Sequence, residues 1–289
     1  MNVRLSVLAV VVLSVGCGLH KPQLTTAKAT PDRGGATRGT STLSLTLESS
    51  DRALQSALLE LAVAPTAEAH RHVANEYRRL GVLDAAHEHF TSAVEMDRSD
   101  AASYDALARI WRDWGVPKMA LEDARRAVAS APRSATAANT LGTVFQALGE
   151  FSEAKRWYAR ALGLDSTAWY ALNNLCYAEI MTRESYALAT CRKAVDAAPD
   201  AIIARNNLAL AHAAAGDFGE AMQWFRRAAD TATANYNYGI VMMSANSFRE
   251  AEVAFHSALL ADPGFTMAAS RARQARLAAL AEEQLRVNH

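Results

Sequence analysis

Small apolar residues recur along this chain at a fixed interval. Ala86, Ala120, Ala154, Ala187, Ala221 and Ala251 lie 34, 34, 33, 34 and 30 residues apart, and Ala93, Ala127, Ala161, Ala194, Ala228 and Ala258 repeat those intervals seven positions later. A third series, Ala74, Ala108, Gly142, Cys176, Ala209 and Gly239, runs twelve residues ahead of the first, or eleven in the fourth instance. Apolar residues around these marks recur at three and four, the spacing of one face of an α-helix. Gly81, Gly115, Gly149 and Gly216, with Asn246 in the last instance, stand where a left-handed residue ends the first helix of a pair. Pro132, Pro199 and Pro263, with Pro65 ahead of the first unit, close alternate segments. The pattern predicts an all-α stack of six helix pairs over 67–265, with units at 67–100, 101–134, 135–168, 169–201, 202–231 and 232–265. Helices within 49–66 and 266–289 are expected to cap its ends, because no pair can bury its apolar face alone. The fourth unit lacks one residue between its helices, and four are missing between Ala228 and Gly239, so the superhelix should change locally at both places.

Composition narrows the picture. The 289 residues include 62 alanines, and aromatics make up 7%, so the interior must consist of small side chains that let helices approach closely. Hydrophobic types at 51% suffice for a substantial core. Lys plus Arg (30) balances Asp plus Glu (30), which leaves no overall positive field to draw the chain onto nucleic acid.

The amino-terminal pattern differs from the rest. Arg4 precedes an apolar run from Leu5 to Val15, too short for the roughly 20 residues that span a bilayer. It reads as a signal peptide, 1–16. Its end, Leu13-Ser14-Val15-Gly16-Cys17, resembles the lipobox of bacterial lipoproteins, in which a dedicated peptidase cuts before a lipid-modified Cys. Gly16 and Cys17 fit that pattern, while Ser14 stands where the family usually carries an aliphatic residue. The resemblance implies that Cys17 carries lipid and holds the chain in the bacterial cell envelope, facing the periplasm. Gly18 in place of Asp implies the outer membrane rather than the inner. Cleavage by an ordinary signal peptidase, giving a soluble exported protein, is the other reading. Residues 17–48 turn to Thr, Ser, Gly and Lys without a periodic apolar face, and would form a flexible tether spanning about 30 Å.

The period and its positions resemble the tetratricopeptide repeat (TPR), most closely from Ala138 through Leu141, Gly142 and Phe145 to Gly149, Ala154, Tyr158 and Ala161. The resemblance implies a right-handed α-solenoid in which Gly142 meets Ala154 across a helix pair. It also implies that the second, fifth, ninth and twelfth residues of each first helix line a concave groove. Units one and two then present Arg71, Asn75, Arg78, Arg109 and Arg112, with Glu68 and Asp105 among them, as a mainly basic mouth. Unit three presents Asn139, Thr143 and Gln146, all uncharged. Units four to six present Asn173, Tyr177, Asn206, Leu210, Tyr236 and Ile240, an increasingly apolar floor. On this reading Asn139, Asn173 and Asn206 form a row of amides able to hold the main chain of an extended peptide, and the arginines favour an acidic segment or a carboxylate. Helix pairing within the array is the alternative use of the Asn row. A C-terminal helix folded back over the apolar end is the alternative to an open floor there.

Other chemistry is sparse. The sequence holds no phosphate loop, no Cys-x-x-Cys zinc spacing and no Gly-x-Ser-x-Gly elbow, so no enzyme and no cofactor are expected. His70 with His72 and His87 with His89 point about 200° apart on their helices, which argues against a metal site. With Cys17 lipidated, Cys176 and Cys191 remain, one on each helix of unit four. An even remainder in an oxidising compartment suggests a disulfide. A register offset of about one helical turn suggests two buried thiols instead. The expected function is a non-catalytic scaffold anchored to the bacterial envelope that binds a protein or peptide segment in its groove, for pilus or secretion-system assembly. An accessory subunit of outer-membrane or polysaccharide-export machinery is the runner-up, and an enzyme that uses repeats to collect substrate is a third, different class.

Overall fold

The computed structural model describes residues 51–287 and contains, among them, fourteen α-helices and no strand. The signal peptide, Cys17 and the tether lie outside the described residues. Helix α1 (Arg52–Val63) is followed by six antiparallel pairs. These are α2 (Ala67–Arg79) with α3 (Leu83–Met96), α4 (Ala101–Asp113) with α5 (Pro117–Ser130), and α6 (Ala135–Ala147) with α7 (Phe151–Leu164). Then come α8 (Trp169–Met181) with α9 (Ala187–Ala197), α10 (Ile202–Ala214) with α11 (Phe218–Ala228), and α12 (Thr231–Ser244) with α13 (Phe248–Ala261). Helix α14 (Thr266–Val287) closes the array.

Helix starts follow local chemistry. Asp51, Thr66, Asp100, Ser134, Asp217 and Asp230 each accept backbone N–H bonds from the first turn of α1, α2, α4, α6, α11 and α12. Pro117 opens α5, where its missing N–H costs nothing. The first helix of each unit stops at a left-handed residue: φ is +76° to +84° at the four turn glycines and +59° at Asn246. Unit four has Arg183 at that place, with φ +58°. Its missing residue falls just beyond, where α9 begins only at Ala187.

Both alanine series are buried, and they set the distance between paired helices. At the glycines of the third series aromatic rings close on the small residues. The ring of Tyr158 lies across Gly142, and that of Phe255 across Gly239, so closely that a Cβ on either glycine would stand 2.6 Å from a ring carbon. Phe90 and Phe225, sixteen residues after Ala74 and Ala209, are buried too. First helices of consecutive units from two to five also touch one another, so the array curves toward them there and they line its inner side. At the end, Ala268, Ala272, Ala275 and Ala279 bury one stripe of α14 against the stack, while Leu277, Leu280 and Leu285 stay exposed. The four residues missing between units five and six shorten α11 and bring α12 in directly after Asp230.

Candidate binding groove

Three first helices converge at the N-terminal half of the inner surface. A cleft of about 480 Å³ there is lined by residues that include Arg71, Asn75, Arg78, Asp105, Arg109 and Thr136. Its charge is mostly neutralised within the protein. Arg71 lies 3.2 Å from buried Asp100, the residue that caps α4, and 3.9 Å from Glu68. Arg109 lies 2.9 Å from Asp105 and donates to Thr140 at 3.2 Å. Arg112 pairs with Asp113 at 2.8 Å and donates to Thr143 at 2.9 Å. Arg78 donates to Asn75 at 3.1 Å and meets no carboxylate among the described residues. Asp105 keeps one buried carboxylate oxygen, Oδ1, without a hydrogen-bond partner.

The asparagine row turns inward. Asn174 donates to Asn139 Oδ1 at 2.9 Å, Asn207 to Asn173 Oδ1 at 2.9 Å, and Asn237 to Asn206 Oδ1 at 3.0 Å. Each amide at the fifth place of one unit thus accepts from an amide at the sixth place of the next. The ladder ties four successive units together through the inner layer. Asn139 and Asn173 are buried, and Asn206 is half-buried. Gln146 is likewise engaged, accepting from the Tyr158 hydroxyl at 2.9 Å.

Toward the C-terminus the floor becomes apolar. Tyr177, Leu210, Ile240 and Met243 are half-buried there, and Ile203 is exposed. Burial pushes the Tyr177 phenol above its usual value. Tyr236, expected on the groove surface, lies instead in the core between Phe255 and Phe265, with ring centroids 5.6 and 4.9 Å away. The shortened approach to α12 is the change at this point in the chain.

In unit four Cys176 and Cys191 are joined by a disulfide with 4.9 Å between Cα atoms. Two groups at the eleventh place of their units carry no sequence signal beyond a break in pattern. Tyr77, Trp111, Phe145 and Met242 occupy that place elsewhere, but units four and five have Glu179 and His212, both buried. Glu179 Oε2 has no hydrogen-bond partner, and burial raises its carboxyl above the usual range, against the pull of Thr190 and Lys155. His212 Nδ1 lies 3.4 Å from Asp217 Oδ2, off the line of a hydrogen bond. The histidines pair across helices: His70 Nδ1 is 3.0 Å from His89 Nδ1, while His87 packs against Trp111 and Trp114. Among the described residues no three His, Cys, Asp or Glu side chains converge as metal ligands. No helix among them is long and apolar enough to cross a membrane.

Residues 134–164 and 202–239 match the model of the tetratricopeptide repeat. No curated protein sequence matches the chain. The APC/C hetero-tetramer Cut9–Hcn1 contains a chain with the same fold (16% identity, TM-score 0.65), covering 81% of this chain and 47% of that one. PilW, a widely conserved type IV pilus biogenesis factor, matches with 19% identity and TM-score 0.62 over 72% of this chain and 97% of its own. PilF of Pseudomonas aeruginosa matches with 18% identity and TM-score 0.57 over 73% and 96%. The chain thus spans about half the length of the first and nearly all of PilW and PilF. It carries tetratricopeptide repeats, and its fold is that of a tetratricopeptide-repeat solenoid.

Proposed function

We propose that this repeat solenoid is a non-catalytic scaffold that receives a segment of a partner protein along its inner surface. The observation that carries the reading is the continuity of that surface. A cleft holding the uncompensated charge of Arg78 leads past the polar first helix of unit three to the half-buried Tyr177, Leu210, Ile240 and Met243. A segment with a carboxylate toward one end and apolar side chains toward the other matches both halves. The inward-facing amide ladder leaves Arg78 and the apolar floor, rather than the Asn row, as the contacts that distinguish partners.

The leader ending at Cys17 supports tethering by lipid to the bacterial envelope, with the solenoid facing the periplasm. Combined with a fold like that of PilW and PilF, it favours a role in pilus or secretion-system assembly. Two experiments test this. Cys17→Ala should release the protein from membranes, and full retention would remove the lipid anchor from the proposal. A photo-crosslinking residue placed at Asn75 or Leu210 should capture one partner in native envelopes, whereas the same residue at exposed Glu122 on α5 should not. Capture from Glu122 alone would move the interface to the outer surface.

A further inference from the structure

Unit four combines four features that weaken it, two of which, a short second helix and a buried polar eleventh place, it shares with unit five. Neither of its helices has a side-chain cap: Ala168 precedes α8 and Tyr186 precedes α9, and the next helix, α10, follows an equally uncapped Ala201. Helix α9, like α11, has eleven residues where α3, α5, α7 and α13 have fourteen. The buried eleventh place holds Glu179, with an unpartnered oxygen, instead of an apolar side chain. Finally, no ring lies across its small residue. Where units three and six set Tyr158 on Gly142 and Phe255 on Gly239, unit four sets Cys191 opposite Cys176.

The disulfide is what unit four has in place of these contacts. The one-residue deletion makes the spacing of the two cysteines 15 rather than the 16 of the ring contacts. Both cysteines are buried, with Thr190, a hydrogen-bond partner of Glu179, next in sequence to Cys191. From the neighbouring unit, Lys155 reaches over to Glu184 at 2.5 Å and Thr182 at 3.1 Å and holds the outer end of the same shortened turn. Among the described residues unit four stands between α1–α7 and α10–α14, and in a stack of nearest-neighbour contacts a weak unit uncouples whatever lies on either side.

We propose that the Cys176–Cys191 bridge is a latch that joins two separately stable blocks, units one to three and units five to six, into one continuous groove. A dithiol reductant would deliver two electrons and two protons, closing to its own disulfide and leaving two thiols on the protein. Unit four then opens while both blocks keep their folds. The consequence for binding, that a partner spanning both halves is held only by the oxidised chain, rests on the groove reading above; the latch itself does not.

Amide hydrogen exchange on the full chain reads the latch directly. Oxidised protein should be compared with protein reduced by dithiothreitol, its two added hydrogens verified by mass, and with the variant Cys176→Ala, Cys191→Ala. Without the bridge, exchange over 169–197 should rise about 100-fold, the scale expected for losing a short-loop disulfide, while 67–164 and 202–287 change little. Loss of protection spread evenly across all units in the reduced protein would overturn the latch, as would unchanged exchange in unit four. If the exchange result is as expected but a captured partner stays bound after reduction, the latch stands and the groove reading falls.

Discussion

A methyl group on Gly142 would stand 2.6 Å from the Tyr158 ring, and one on Gly239 equally close to Phe255. Both rings are wholly buried, so neither can swing aside without parting its helix pair. Gly142→Ala and Gly239→Ala should therefore each destabilise by about 1–3 kcal/mol. Gly163, inside α7, has open space around it, and Gly163→Ala should be neutral or stabilising by up to about 1 kcal/mol. Urea unfolding of the three variants checks this, and equal effects at all three would remove the packing argument. Asp123 gives a pH test. Half-buried beside Trp111, its carboxyl is pushed by burial from 3.8 up to about 6, although Arg126 pulls the other way. A raised carboxyl favours the fold below its unfolded value and loses that contribution as pH climbs through about 6. Asp123→Asn should thus raise Tm at pH 7 and have little effect near pH 4. The displacement corresponds to about 3 kcal/mol, reduced by partial exposure to on the order of 1 kcal/mol. The small-residue series was legible because spacing alone carries it. Asp123 and Glu179 were not, because their environment is made by residues from other helices.

Between elements, the amide ladder decides how well one unit grips the next. Its rungs differ in burial, and so in what their loss costs. Asn207→Ala strands Asn173 Oδ1, which is 3% exposed, and should cost about 1–3 kcal/mol. Asn237→Ala frees the half-buried Asn206, which water can reach, and should cost less than about 1 kcal/mol. Thermal unfolding of the two variants separates them, and equal losses would mean that the rungs are not independent hydrogen bonds. The acceptor row, Asn139, Asn173 and Asn206, was visible in the sequence, and so was helix pairing as one use for it. The doublets Asn173-Asn174 and Asn206-Asn207 carried the further signal, since each pairs an acceptor for one neighbour with a donor for the other. Arg183 was hidden for a different reason. It takes the left-handed turn without being glycine or asparagine, in the unit whose deletion had already broken the register.

Across the whole molecule, the gradient from charged to apolar along the inner surface follows from the order of the units, but its effective charge does not follow from counting arginines. Folding brings Asp100 to Arg71 and keeps Asp105 on Arg109, so two apparent ligand-binding cations are partly consumed in joining and stiffening units one and two. Arg71 in particular bonds the buried residue that starts α4, and its removal would disturb the fold as well as the cleft. Arg78 has no such duty: its contact is a neutral amide three residues back on the same helix. Arg78→Ala should therefore leave helicity and Tm unchanged while weakening partner capture several-fold at low ionic strength. The difference from wild type should shrink as salt approaches about 1 M, where the screening length falls to about 3 Å. Arg71→Ala should instead lower Tm, with a binding loss that persists in salt. If the two variants lose binding in parallel, with the same salt dependence and no difference in stability, the cleft is reading total positive charge rather than the one arginine that the fold leaves uncommitted.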